Sequence, residues 1–413
     1  MPTKYVVILG DGMADYPIPQ LGDKTPLQYA YKPNIDYLAK FGETGIVKTI
    51  PDGIPPGSDS ANLSVMGYNP KQYYTGRSPL EAISMGINLS ETDLAFRCNL
   101  VTLSDNGGYE GKTMIDYSSD EIFSAEAAQL IEVINRQFTT EEIRFYPGIS
   151  YRHCMIWKDG PAGFNLTPPH DILEKKITEY LPAGESSQKL LDMMKKSFEI
   201  LKDHPVNKAR VSGGLRPANS IWLWGDGRKP AIPEFADKYG IKGAVVSAVD
   251  LIKGIGICAG LKSINVEGAT GNVHTNYAGK AQAALMELEA GSDFVYIHIE
   301  APDECGHRYE IENKVKSIEL IDKMVAGTIL QGLKKYEDYS ILVLPDHPTP
   351  LSLRTHTSEP VPYILYRSKS HKASGVEGYD EFQARKTGIF VEEGHKLMDR
   401  FLGTVLATSL VIL

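Results

Sequence analysis

Cysteine is scarce in this chain, and its four copies, Cys98, Cys154, Cys258 and Cys305, never fall in a CxxC pair. That excludes a zinc ribbon and a thioredoxin-type motif, and the scatter reads as a reduced, cytoplasmic protein rather than a disulfide scaffold. Positive charge is in deficit: 43 Lys and Arg stand against 52 Asp and Glu, a formal net charge of −9. Broad binding to nucleic acid or to an anionic membrane, which needs a basic surface, is therefore not expected. An anionic small molecule remains possible, because a local group of Arg and Lys can oppose the global sign. Long apolar runs are also missing. The opening run, YVVIL, has five residues, shorter than a secretion-signal core, and reads as a buried strand. Leu402 to Leu413 is apolar for twelve residues, short of the ~20 needed to span a bilayer, and reads as a packed terminal segment. There is no internal repeat, no low-complexity tract and no GxxxxGK[ST] nucleotide loop.

What the 413 residues do contain is an α/β alternation. Tyr5–Leu9 runs into Gly10-Asp11-Gly12, Phe294–Ile299 into Glu300-Ala301-Pro302-Asp303, and Ile341–Leu344 into Pro345-Asp346-His347. Strands apolar on both faces belong to a parallel sheet covered by helices, and ligands of such sheets bind beyond the carboxyl ends of the strands. Helical composition is found between them, at Gly279–Glu289 and Glu312–Leu333, and later at Glu392–Arg400. From about Gly76 to about Gly227 the chain is richer in polar turns and holds the Pro-rich Thr167-Pro168-Pro169-His170 and a helix-like Ser186–Lys202. A block of that size inside one sheet suggests an inserted second domain.

Asp303 and His307 are four apart, so a helix puts them on one face. Asp346-His347 follows another strand, and His356 lies nine residues on. Taken singly, each has a plain alternative as a cap, a turn residue or a surface histidine. Together Asp11, Asp303, His307, Asp346, His347 and His356 all stand at strand ends of one inferred sheet. Six donors are too many for one tetrahedral ion but suit two, and a two-metal site suits phosphoryl transfer. Gly57-Ser58-Asp59-Ser60 supplies a hydroxyl at a helix start, where the helix field favours a phosphate. Ser58 or Ser60 as a simple N-cap is the competing reading. His298, inside the buried run VYIHIE, reads as a satisfied core residue; His274 reads as a loop or supporting residue and His395 as a surface one.

The set Asp11, Gly57-Ser58-Asp59, Asp303-x-x-x-His307, Asp346-His347 and His356 resembles the alkaline phosphatase superfamily, and most closely cofactor-independent phosphoglycerate mutase in its shorter archaeal-type form. The stretches LGDGMADYP, PPGSDSANLSVMGY, TGRSPLEA, FRCNLVTL, EGATGNVHTNYAGKA, IHIEAPDECGHR and DHPTPLSLRTHTSEPVPY carry the likeness over nearly the whole chain. The resemblance implies a metal-binding core of residues 1–75 and 229–413 with a mostly parallel sheet flanked by helices, and a smaller α+β insert, 76–228, that binds substrate as a lid. It implies two divalent ions, manganese foremost, with zinc, cobalt or magnesium as alternatives. Asp303, His307 and His356 would hold one; Asp11, Ser58, Asp346 and His347 the other.

Ser58 would be the nucleophile, with Ser60 its rival because Asp59-Ser60-Ala61 mimics a phosphatase signature. A small phosphorylated acid would be held by Arg97, Arg152, His153, Arg216 and Lys253, since guanidinium matches phosphate and carboxylate bidentately; Lys112 is a weaker candidate. The implied reaction interconverts 2- and 3-phosphoglycerate through phosphoserine, in glycolysis and gluconeogenesis. The sequence departs from the family where Tyr117-Ser118-Ser119 stands in place of basic residues, and where Asn219 replaces a second Arg. A homoserine kinase-like phosphotransferase and a phosphomonoesterase are accordingly the alternative functions.

Overall fold

A computed structural model describes residues 2–370 and 373–403 of the chain. Two compact units emerge, one of residues 1–74 and 231–413, the other of residues 75–230. The apolar tail expected to pack beyond Leu402 lies outside the described residues from 404 onward; Leu402 itself closes the helix Lys396–Leu402 and is buried. That helix was expected at Glu392–Arg400, but a short strand, Phe390–Val391, occupies the chain just before it and His395 is left as its half-buried N-cap.

The first unit is built on an eight-stranded sheet. Its order is Phe390–Val391, Glu43–Val47, Val361–Arg367, Tyr339–Leu344, Lys4–Gly10, Phe294–Ile299, Gly243–Val246, Lys262–Ile264. All pairings are parallel except those that Val361–Arg367 makes with its two neighbours. The three apolar runs of the sequence are thus the three central strands. Their buried residues alternate between the two faces. Val6, Ile8, Val295, Ile297, Ile341 and Val343 share one core with Ala281, Ala284 and Leu288 of the helix Tyr277–Glu289 and with Ile318, Val325 and Ile329. Each such aliphatic side chain contributes roughly 1.5–3 kcal/mol on full burial, which fixes the register of the central strands. The expected helix Glu312–Leu333 is two α segments, Ile311–Leu320 and Gly327–Leu333, joined by a π turn at Ile321–Ala326.

The second unit is α+β. Leu94–Leu103 pairs antiparallel with Arg152–Trp157 on one edge and with Ser220–Arg228 on the other; Ile143–Tyr146 and Met114–Asp116 extend the sheet. The helices Ser124–Phe138 and Ser187–Leu201 close its core with Leu130, Ile131, Leu190 and Met194 around Phe96 and Trp222. No helix among the described residues is long and apolar enough to cross a membrane.

Candidate active site

The parallel register brings the carboxyl ends of three strands level. Gly10 pairs with Ile299 and Leu9 with Leu344, so Asp11, the turn after Ile299 and Asp346-His347 open at one edge of the sheet. Gly12 turns the chain there with φ +62°; a Cβ on it would lie 2.6 Å from Thr349 Oγ1 and 2.8 Å from Asp303 Oδ1, so only glycine fits. Asp303 and His307 do share a face of the helix Ala301–Arg308, with Oδ2 3.2 Å from Nε2.

All seven residues expected as metal ligands lie in this first unit and meet at that edge. His356 Nε2 is 3.3 Å from Asp303 Oδ1 and 2.9 Å from His307 Nε2. His347 Nε2 is 3.5 Å from Asp11 Oδ1, 3.4 Å from Asp346 Oδ2 and 3.1 Å from Ser58 Oγ. Asp303, His347 and His356 form one group of donors within 4.8 Å of one another, and Asp11, His298 and Asp346 form a second. The geometric grouping therefore differs from the one the resemblance implied: His347 stands between the two groups, and His298 joins one of them.

The surroundings fix which nitrogen of His307 and of His347 faces inward. His307 Nδ1 donates to the Arg354 carbonyl at 2.9 Å, so Nε2 is the nitrogen turned toward Asp303 and His356. Thr349 spends its hydroxyl hydrogen on Asp303, so His347 Nδ1, 3.3 Å from Thr349 Oγ1, donates there and His347 Nε2 keeps its lone pair.

Asp11, fully buried, is raised well above the usual carboxylate range by burial and then by the charges of Asp346, Asp303 and Glu300, and its Oδ1 has no hydrogen-bond partner. Burial also works against ionised Asp303, but hydrogen bonds from His307 and His356 hold it well below the usual range. The bond to Asp303 in turn raises His307 to about 9, and burial lowers His347. Crowded carboxylates, an orphaned buried oxygen and imidazole nitrogens facing inward fit divalent cations of the Mn or Zn kind.

Ser58 is the first residue of the helix Ser58–Val65, half-buried, and its Oγ points to His347. Neither serine is the N-cap: that position is Gly57, and no side chain caps the helix. Ser60 is fully buried and its hydroxyl is turned back onto the carbonyls of Gly57 and Pro55, at 3.2 and 3.4 Å. Asp59 accepts the Ser60 N–H and the Tyr74 hydroxyl.

Several supporting residues were not read from the sequence. Asn62 Nδ2 donates to Asp346 Oδ2 and to the Ser58 carbonyl, both at 2.8 Å, and Tyr296 donates to Asn62 Oδ1 at 2.6 Å. The spacing Ser58–Asn62, one helical turn, was the available signal. His298 is buried, as expected of a core residue, yet Nε2 lies 2.9 Å from Asp11 Oδ2. His274 is exposed in its loop.

The substrate-binding candidates have mixed surroundings. In the second unit, Arg97 pairs with Glu81 at 3.2 Å and stacks on Trp224, while Arg216 pairs with Asp116 and Asp120. Lys112 is buried, bonded to the Ser104 carbonyl. His153 is buried, accepts the Gly148 N–H at Nδ1 and leaves Nε2 without a partner. Arg152 is exposed over Tyr151, with no carboxylate in ion-pair distance among the described residues. In the first unit Lys253 is half-buried, 3.8 Å from Asp250.

The fold is α/β, a mostly parallel sheet flanked by helices with an α+β insert. The profile of the 2,3-bisphosphoglycerate-independent phosphoglycerate mutase family matches residues 39–207. A probable 2,3-bisphosphoglycerate-independent phosphoglycerate mutase of Geobacter sulfurreducens is 52% identical over 97% of this chain and 99% of its own length. The enzyme of that name from Methanothrix thermoacetophila is 49% identical over 96% and 98%. Among solved structures, a Pyrococcus horikoshii protein superposes with a TM-score of 0.83 at 31% identity, covering 99% of this chain and 100% of its own. The cofactor-independent phosphoglycerate mutase of Thermoplasma acidophilum superposes at 0.67 with 26% identity, covering 98% and 100%. The chain belongs to the 2,3-bisphosphoglycerate-independent phosphoglycerate mutase family.

Proposed function

We propose that the protein interconverts 2- and 3-phosphoglycerate by passing the phosphoryl group through Ser58, with two divalent ions, manganese foremost, held by Asp11, Ser58, Asp303, His307, Asp346, His347 and His356. The observation that carries this reading is the Ser58 hydroxyl, 3.1 Å from His347 Nε2 amid those donors. Family membership supports the choice of substrate. When bound, such ions lower the pKa of a coordinated hydroxyl and offset charge on the transferring phosphoryl group.

The rest is the work of the chain. Ser58 Oγ attacks phosphorus, the bond from phosphorus to the glycerate oxygen breaks, and the serine proton ends on that departing oxygen. The other glycerate hydroxyl then attacks the phosphoserine, gives its proton back to Ser58 Oγ, and leaves as the isomeric phosphoglycerate. Asn62 holds the Ser58 carbonyl and Asp346 together, so nucleophile and ligand keep one geometry. Arg152 in the insert, and Lys253 in the core, are the groups proposed for the substrate's anionic oxygens, followed by Arg97, His153 and Arg216.

The test is turnover of purified protein with Mn on 3-phosphoglycerate, on homoserine with ATP, and on a plain phosphomonoester. Mutase turnover should exceed the other two by orders of magnitude. ATP-dependent phosphorylation of homoserine without mutase turnover would replace the reading with a kinase, and hydrolysis alone with a phosphatase.

A further inference from the structure

The parallel register sets Leu9 opposite His298, and the Asp11 N–H donates to the Ile299 carbonyl at 2.9 Å. The imidazole of His298 is thereby carried against the Asp11 carboxylate, Nε2 to Oδ2 2.9 Å, with both side chains out of contact with solvent. On the far side of the ring, Nδ1 is 3.2 Å from Ser247 Oγ. Ser247 Oγ already accepts the Val249 N–H at 3.0 Å, so its own hydrogen is free for Nδ1. A ring that accepts at Nδ1 carries its hydrogen on Nε2, facing Asp11. The backbone at His298 is pinned as well, since buried Lys280 donates to its carbonyl at 3.0 Å. Asp11 Oδ2 is thus taken, while Oδ1 has no hydrogen-bond partner and faces His347 Nε2.

We propose that His298, held as the Nε2–H tautomer by Ser247, is a positioning residue: it grips one oxygen of Asp11 and leaves the other as the single atom presented to a metal ion. The inference rests on the reading of Asp11 as a ligand. It makes His298 a support and not a ligand, although its ring lies within 4.8 Å of donors on Asp11 and Asp346. Supports of this kind typically change metal affinity ~10–100-fold when removed.

Two measurements on the full chain test it. In the first, the protein is labelled with 15N-histidine and examined without added metal, the His298 signals being identified by their loss in His298→Gln. The Nε2–H tautomer is expected, and an Nδ1–H tautomer would overturn the proposal. In the second, Mn binding is titrated by the EPR signal of the free ion. His298→Ala should weaken one site ~10–100-fold, and His298→Gln, whose amide nitrogen reaches the place of Nε2, should recover most of the loss. If Gln loses the ion as fully as Ala, His298 is itself a ligand and the proposal is wrong. Asp11→Asn separates the two levels. If it weakens Mn binding while His298→Ala does not, the support role falls and the site reading stands. If wild type binds no Mn, or Asp11→Asn changes nothing, the site reading falls and the support role with it. Should His298→Ala fail to fold, His298→Gln, Ser247→Ala and the tautomer measurement decide alone, with Ser247→Ala expected between wild type and Ala in affinity.

Discussion

Ser58 directs its hydroxyl to His347 Nε2 at 3.1 Å, whereas Ser60, two residues on in the same helix, turns its own back to the Gly57 carbonyl. Two residues are about 200° of helical rotation, so the two hydroxyls cannot serve the same site. Ser58→Ala should abolish mutase turnover with little change in melting temperature, because no side-chain cap is lost. Ser60→Ala should cost about 1 kcal/mol of stability or less and retain most of the activity. Quenched reactions with labelled phosphoglycerate and peptide mapping should place the label on Ser58; label on Ser60 would reverse the roles.

That pair also marks where the sequence stops being readable. Both serines sit at a helix start behind a glycine, and local sequence cannot say which one rotates toward the sheet. The meeting of the candidate ligands was more legible. Asp11, Asp303 and Asp346 each follow a run apolar on both faces, and such runs become central parallel strands whose carboxyl ends must lie together. His298, Ser247, Asn62, Tyr296 and Thr349 matter only through which strand or helix lies beside which. The His298–Asp11 contact alone spans 287 positions in the chain, and a pattern of period 2 or 3.6 does not encode such contacts. His298 in particular looks like any buried strand residue until Leu9 is set opposite it.

Tyr296 and Asn62 form the second testable link. Tyr296 is fully buried, and its hydroxyl fixes the Asn62 amide so that Nδ2 faces both the Ser58 carbonyl and Asp346. Tyr296→Phe leaves Asn62 Oδ1 buried without a donor, an expected loss of about 1–3 kcal/mol. With the amide no longer held, kcat should fall on the order of 10-fold while KM changes little. A Tyr296→Phe enzyme with wild-type kcat would show that Asn62 keeps its orientation unaided.

Lys314 and Asp15 make a buried ion pair behind the turn that carries Thr349. Lys314 Nζ lies 2.7 Å from Asp15 Oδ2 and 2.8 Å from the Thr349 carbonyl, with no exposed side-chain surface on Lys314. Lys314→Met strands a buried carboxylate and should cost about 3–5 kcal/mol. The double variant Lys314→Met with Asp15→Asn should recover part of that, since neither charge is then left alone. Denaturant titration of the three proteins measures it. Equal stability of single and double variants would mean that the stranded Asp15 charge is not the source of the loss.

Glu381 gives a pH dependence whose sign follows from its surroundings. Its carboxyl is buried, accepting the Thr25 hydroxyl at 2.7 Å and the Asp15 N–H at 3.1 Å. Burial outweighs these bonds and raises its pKa from the ordinary 4.5 to about 7. Below 4.5 folded and unfolded chains both hold the proton, and Glu381 adds no pH dependence. Between 4.5 and about 7 the folded chain keeps a proton that the unfolded chain has released, so stability falls as pH rises. Above about 7 the penalty is complete and constant. Glu381→Gln has no proton to lose and can still accept from Asp15 and donate to Thr25. Its stability relative to wild type should therefore grow by up to about 3 kcal/mol across that window. Parallel denaturant titrations at about pH 5 and about pH 8 measure the gap. A gap that does not widen would mean that the two hydrogen bonds hold the carboxylate ionised throughout.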